Sequence, residues 1–553
     1  MRWVALLALC GALASGQTAG RIEGHVVSQS GDPVRKATVR LTGNPPPQNG
    51  QAVRSTTYVE LSDGTGKFVF DDLPQGRYIL SAQKTGFIPP RNTGASSITL
   101  QAGEVKKDAE FKLIQQGVIS GRVTDQDGDA VISVQVQALR VNYNGARRQL
   151  VPYASVTTDD QGNFRISNVE PGRYYPMADD SRRISVSTSP DERRGRSAQE
   201  VDIGTFYPSA PDFSGAVAVE VGPGKEAQGI NIRMLKGRTF SIRGTGVDGR
   251  NSAPSGMQLT LSPKLSGISM ANARVGAQVQ ASGAFEFRGL VPGTYVIQGQ
   301  RGQQVVRNSD AVTSIPGLVG RAEVTVSNSD VEGVVLSMSA PAEITGRIRT
   351  EEGLPVPSAR ITLIDAEESF GQAPSVQINS DATFRIQNIG LSRYTVSVNS
   401  LPPGMYVKSA RFGGQEATKS LIDMTSGGGG VMEVVLSAKA AEVTAFVRSG
   451  SGENVSGVTV SMWSKTAAGL DPVIGRQYRT GATGSVRLGD LPPGEYYVAG
   501  WEEVDTNLLR SPDFVGRFTG QAASVRVGES DKVTADLTLI PKDKIAAELA
   551  KLP

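Results

Sequence analysis

Histidine occurs once in the 553 residues, at His25, and cysteine once, at Cys10. That scarcity removes most catalytic chemistry at the outset. A zinc site needing two histidines cannot be assembled within one chain, and a Ser-His-Asp relay would have to run through His25, which sits in an alternating run that reads as a strand. Cys10 falls inside an apolar amino-terminal stretch, so the chain beyond it has no thiolate nucleophile, sulfur ligand or disulfide. The acids Asp125-x-Asp127-Gly128-Asp129 alternate as a calcium loop would. They depart from the EF-hand loop, because Gly is fourth rather than sixth and Val136 stands where the bidentate Glu belongs, and they read equally as a solvated type I turn. Carboxylates for glycoside hydrolysis are plentiful, yet no spacing places two of them in a cleft. The expectation is no catalytic residue, no metal and no cofactor.

Aromatic residues are the better binding candidates: Tyr175, Phe206 and Tyr207, then Tyr497, Trp501, Phe514 and Phe518. Exposed rings stack on sugar faces or fill partner pockets, and the same rings equally serve to cover a sheet or seal a junction.

The elements that position these residues come from a repeat. Counting from Gly162, Phe164 and Ile166 follow two and four places on, Val169 at seven, Gly172 at ten and Tyr174 at twelve. The same spacing recurs from Gly66 to Tyr78, from Gly283 to Tyr295 and from Gly484 to Tyr496. A degraded copy puts Ala382 and Ser392 in place of the two glycines but keeps Phe384, Ile386, Ile389 and Tyr394. Alternation such as Phe164-Arg165-Ile166-Ser167 is the period of a half-buried strand. Asp159, Asp160 and Gly162 read as a turn, Pro171-Gly172 as a second one with Gly172 in a left-handed corner, and the next strand as starting at Tyr174. Each tyrosine is expected inside its own core with its hydroxyl on a backbone partner.

Copies about a hundred residues apart suit small β-sandwiches, and the fold class is read as all-β: tandem antiparallel sandwiches of immunoglobulin-like or prealbumin-like type, arranged as a rod. The boundaries expected are 20–115, 116–235, 236–338, 339–437 and 438–541, with a tail at 542–553 forming a short helix at most. Within the second sandwich, 180–215 reads as a solvated loop insertion carrying Arg182, Arg183, Arg193, Arg194 and Arg196. The proline-rich loop from Asn44 to Asn49 is expected to be exposed.

Residues 1–16 carry Arg2, an apolar core and small residues at Ala14-Ser15-Gly16, the pattern of a secretory signal peptide cleaved near Gly16. The expected location is therefore secreted or periplasmic. Without that segment one Arg is lost from 57 basic residues, leaving 56 against 54 acidic, or +2. Such balance speaks against a dedicated nucleic-acid partner, and no later apolar run is long enough to span a bilayer as a helix.

The motifs Ile119-Ser120-Gly121-Arg122-Val123, Asp160-x-Gly162-x-Phe164 and Pro171-Gly172-x-Tyr174 resemble the carboxypeptidase regulatory-like module, a prealbumin-like sandwich grouped with carbohydrate-binding-like folds. Thr205-Phe206-Tyr207-Pro208 and Ser511-Pro512-Asp513-Phe514 also resemble stretches of bacterial secreted proteins built from tandem copies. In zinc carboxypeptidases that module is an appendage and the metal is held elsewhere, so the resemblance implies an accessory domain rather than a peptidase. Three function classes follow. The first is a non-catalytic binding or spacer protein whose partner is an extracellular glycan or a cell-envelope protein; the others are a purely structural rod or assembly subunit, and an enzyme.

Overall fold

The computed structural model describes residues 19–551 apart from 45–54, 90–95, 145–146, 181–183, 189–198, 250–251, 253, 255, 265–267, 271–274, 280–281, 309–310, 316, 367–372, 419, 467–468, 473–477 and 550. The expected signal peptide, most of the Asn44 to Asn49 loop and the five insertion arginines lie outside the described residues.

Each of the five repeat tyrosines is buried in a separate hydrophobic core, with Tyr78, Tyr174, Tyr295, Tyr394 and Tyr496 each packed among residues of its own sandwich. The first sandwich shows the layering. One sheet holds strands Gly20–Ser28, Lys67–Leu73, Phe87–Ile88 and Val105–Gln115, and the other holds Thr38–Asn44, Thr56–Leu61, Gly76–Gln83 and Ser96–Leu100. Alternation turns Ile22, Val26, Phe68, Phe70 and Leu113 of the first sheet toward Val39, Leu41, Tyr78 and Leu80 of the second. In the third and fifth sandwiches the two sheets join along one edge into continuous sheets of nine and eight strands.

Most pairings are antiparallel, but a parallel one recurs in every sandwich. The opening strand runs parallel to a closing one, as in Gly20–Ser28 with Val105–Gln115, Ala342–Thr350 with Gly430–Ser437, and Ala441–Arg448 with Lys532–Ile540. The opening strand already pairs antiparallel with the repeat hairpin on its other side, so the closing strand completes the ladder from the remaining edge.

The repeat's spacing now has a physical cause. Val169 lies three places after Ile166, which simple alternation would put on the opposite face, yet both are buried. The hairpin strand carries a β-bulge there: Ile166 pairs with Ile119 while Val169 pairs with Gly117, and the same register shift recurs in all five copies. Left-handed residues sit in the bulge at one fixed place, Asp72, Asn168, Gly289, Asn388 and Asp490, with φ between 55° and 77°. Short polar side chains and glycine tolerate this conformation best.

This corrects the expected second left-handed corner. Gly172 has φ 153°, but Gly76, Gly293 and Gly494 do not take positive φ; the common left-handed position is in the bulge. The first turn is as expected, with Gly66, Gly162, Gly283 and Gly484 at φ 70–78° and Ala382 at 61°. A Cβ on Gly162 would come 2.5 Å from the Val123 carbonyl oxygen, so glycine is required there by close approach as well as by φ.

By its internal contacts the chain divides into two compact units, one of Met1–Leu139, Tyr153–Asp179 and Gly204–Leu235, the other of Arg140–Pro152, Asp180–Ile203 and Lys236–Pro553. The insertion expected as a solvated loop is partly strand. Ser185–Ser187 pairs antiparallel with Ala284–Leu290, Gln199–Ile203 pairs with Leu235–Val247, and Ile184 and Val186 pack on the core around Tyr295. The Ile184-x-Val186 and Val201-x-Ile203 alternations suit sheet edges that would otherwise leave backbone groups unpaired. After Ile540, residues Lys542–Leu549 form a helix that buries Ile545.

Candidate functional site

The aromatic candidates of the fifth sandwich form a second core. Trp501, Phe514 and Phe518 are fully buried together with Trp463, which the sequence reading did not single out. Trp463 and Trp501 project from neighbouring strands, Thr459–Thr466 and Gly494–Trp501, on the face turned away from Tyr496. A short helix, Pro512–Gly516, lies over them; Ser511 caps it through its hydroxyl oxygen, which accepts from the Phe514 N–H at 3.2 Å. Phe514 stacks on Trp501 at 5.8 Å between centroids, and Phe518, one turn on, meets its face edge-on at 4.9 Å. The Trp501 indole N–H donates to Ser461 Oγ at 2.8 Å. These rings expose no face on which a ligand could stack. Tyr497 is half-buried and stacks on Trp463 at 6.0 Å.

In the second sandwich Tyr175 and Phe206 are also buried, packed edge-on around Phe213 at 4.7 and 6.1 Å. The Arg173 guanidinium lies 5.8 Å from the Tyr175 ring centre. Tyr207 keeps part of its ring accessible. The structure therefore brings the candidates together as two separate packed nests and leaves Tyr207 and Tyr497 partly open. Trp463 was visible as one of three tryptophans, but its alternation with the core residues Val460 and Met462 needed the sheet to assign a face.

The repeat tyrosines donate to a backbone carbonyl four residues upstream, from Tyr78 to Pro74 (2.5 Å), Tyr174 to Glu170 (2.6 Å), Tyr295 to Val291 (2.8 Å), Tyr394 to Gly390 (3.1 Å) and Tyr496 to Pro492 (2.7 Å). Burial pushes the Tyr78 phenol up to about 12. The tyrosines thus pin the turn that follows the bulge, in the manner of a tyrosine corner.

The acids are likewise spent on turns. Asp159 Oδ1 accepts from the backbone N–H of Asn163 (2.7 Å) and Gln161 (2.9 Å), and those bonds hold its carboxyl below the usual range. Asp125 Oδ1 accepts from the N–H of Asp127 and Asp129, both at 2.9 Å, in the loop considered for calcium. Among the described residues no three His, Cys, Asp or Glu side chains group as metal ligands would.

Two clefts remain. One is wide and open, about 640 Å³, on the outer face of the second sandwich, lined by Ser120, Arg122, Asn163, Arg165, Gln228 and Asn231. Its polar groups are largely engaged within the protein: Arg165 pairs with Glu226 at 3.3 Å, the Ser120 hydroxyl donates to Glu226 at 2.8 Å, and Arg122 Nε donates to the Gln161 carbonyl at 2.9 Å. The other is a slot of about 60 Å³ in the second unit, lined by uncharged residues including Gln258, Gln298 and Gln300.

The family model of the carboxypeptidase regulatory-like domain matches in two tandem copies, over residues 21–113 and 118–188. The matches contain the first two repeat hairpins; the second ends within the insertion. No curated protein matches the sequence. Among solved structures, a minor pilin of Streptococcus agalactiae is 15% identical, with 39% of this chain and 95% of that one covered, at a TM-score of 0.20. The TIE protein of Bacillus anthracis is 10% identical over 76% of this chain and 72% of its own, at 0.16. A putative carbohydrate-binding protein of Pseudomonas aeruginosa is 16% identical over 18% of this chain and 87% of its own, at 0.14. Likeness at this level says nothing of activity.

Proposed function

We propose that this chain is a non-catalytic, extracytoplasmic binding or spacer protein whose tandem sandwiches present surface to an envelope glycan or protein. The observation that carries this reading is how completely the repeat's distinctive residues are used by its cores: the tyrosines close turns, the aspartates brace them and the large aromatics are buried. Repeats spent in this way offer long outer faces and few reactive groups. The described residues contain no helix long and apolar enough to cross a membrane, and export rests on the amino-terminal signal pattern. Sequencing the mature amino terminus tests that part, with a start just after Gly16 expected.

The binding part is tested with the full mature chain on a glycan array run beside a pull-down from native envelope, using wild type, Tyr207→Ala and Tyr497→Ala. Retention of a defined glycan or envelope protein supports the reading. Turnover of a glycan or peptide substrate by purified protein would sink it. Trp501→Ala is a poor probe, since a fully buried ring reports on folding.

A further inference from the structure

The slot in the second unit differs from the rest of the surface in what lines it. Gln258, Thr260, Gln298 and Gln300 share the outer face of one sheet, because Gln258 pairs with Gln300 and Thr260 with Gln298 across neighbouring antiparallel strands. Gly299, between the two glutamines, faces inward, where a Cβ would lie 2.7 Å from Met338 Sδ. The facing wall is the repeat hairpin of the fourth sandwich, at Asn388, Gly390 and Leu391. Asn388 is that copy's left-handed bulge residue, and Gly390-Leu391-Ser392 stands where the second copy has Glu170-Pro171-Gly172. One of this copy's two departures from the repeat is therefore beside the slot. Among the described residues, no hydrogen bond within the protein engages the side-chain amides of Gln258, Gln298, Gln300 or Asn388. Arg321, opposite Gln298 in the register, does not line the slot.

We propose that this slot is a subsite for the edge of a neutral sugar residue. It rests on the binding reading above and deepens it. Each primary amide both donates and accepts, which matches a pair of hydroxyls, each also donor and acceptor. No charged side chain lines the slot, so the contacts it offers are those of uncharged donors and acceptors. Leu391 and Val319 supply apolar surface for the C–H face of the ring. The slot is small, about 60 Å³, so a diol or hydroxymethyl edge enters while the ring lies across the mouth.

The test uses the full chain on an array of neutral and acidic glycans, followed by titration calorimetry with the best-bound neutral oligosaccharide. Wild type is compared with Gln298→Ala/Gln300→Ala, and with Gln258→Ala should the double variant not melt like wild type. The expected result is binding of a neutral glycan and a loss of about tenfold or more in the variant, the scale of a few hydrogen bonds. Equal binding by wild type and variants, or a preference for acidic glycans, overturns the subsite but leaves glycan binding standing. No glycan retained by wild type also overturns it, and if the envelope pull-down then yields a protein partner, the broader binding reading survives without it.

Discussion

At the scale of single residues, the hydroxyl of each repeat tyrosine carries a defined load. Tyr174 is fully buried and its partner carbonyl belongs to Glu170, itself buried. Tyr174→Phe removes that donor and is expected to cost ~1–3 kcal/mol, read as a lowered urea midpoint of the second sandwich. An unchanged midpoint would mean that water reaches the Glu170 carbonyl. The first turn gives a second test with opposite signs in two copies. Ala382 holds φ 61° with a Cβ in place, so Ala382→Gly should stabilise the fourth sandwich by ~1 kcal/mol through relief of the left-handed strain. Gly162→Ala should destabilise the second by at least as much, because its Cβ meets the Val123 carbonyl. Thermal melts of the two variants should therefore shift in opposite directions.

At the scale of elements, the strand Arg393–Asn399 is braced by the Ile422–Asp423 strand and the turn after it. Asp423 Oδ1 accepts from the Thr425 hydroxyl at 2.6 Å and the Thr425 N–H at 3.0 Å, and Arg393 reaches Oδ2 at 3.1 Å. These bonds, the hydroxyl first, pull its carboxyl down to about 2 from an ordinary 3.8. A group depressed on folding stabilises fully above its unfolded value, so this contribution is present above pH 3.8 and is lost as pH falls toward about 2. Asp423→Asn should flatten that part of the acid limb for the fourth sandwich, in melts recorded from pH 5 to 2. A limb of unchanged steepness would show that other carboxylates set it. The aromatic core of the fifth sandwich is an element-scale device too. Its helix is too short to persist alone and is held by Phe514, Val515 and the cap at Ser511. Trp501→Ala should cost ~3–5 kcal/mol, the range for emptying a buried aromatic site, and release Pro512–Gly516 to proteolysis.

At the scale of the molecule, the bulge recurs where sandwiches meet. In the first unit Gln116 Nε2 donates to the Asn168 carbonyl at 3.1 Å, and in the second the Gly404 N–H donates to Asp490 Oδ1 at 2.6 Å. The Asp490 contact belongs to a denser junction in which Lys408 Nζ lies 2.6 Å from Glu351 and 3.0 Å from Glu529, and Lys439 lies 3.3 Å from Glu529. Hydrogen bonding to Glu351, then to Glu529, raises the Lys408 ammonium above its ordinary value. An exposed pair contributes little alone, so the expected effect is on coupling. In calorimetry of the full chain, Lys408→Ala with Asp490→Ala should separate the transitions of the fourth and fifth sandwiches, whereas wild type melts them together. Transitions that stay merged would place the coupling elsewhere in the junction.

The sequence by itself determined the fold class and the repeat, because inward-outward alternation and fixed turn positions are local properties that survive in a linear string. It located the five tyrosines, the first turn and the strands of the repeat hairpin, such as Asn163–Val169 and Gly172–Asp179. The odd interval between Ile166 and Val169 and the Asp, Asn or Gly just before Val169 were the legible signs of the bulge, but only the register against Ile119 and Gly117 gives them meaning. Tertiary structure alone decided which aromatic rings are surface. Trp501, Phe514 and Phe518 read equally as a stacking platform or a core, since exposure depends on what the chain later lays over them, here the Pro512–Gly516 and Lys542–Leu549 helices. It also decided that Ser185–Ser187 joins a sheet and that three glutamines from two strands gather on one face. Both follow from pairing between segments distant in the chain, and the energy of such pairing is written in neither segment alone.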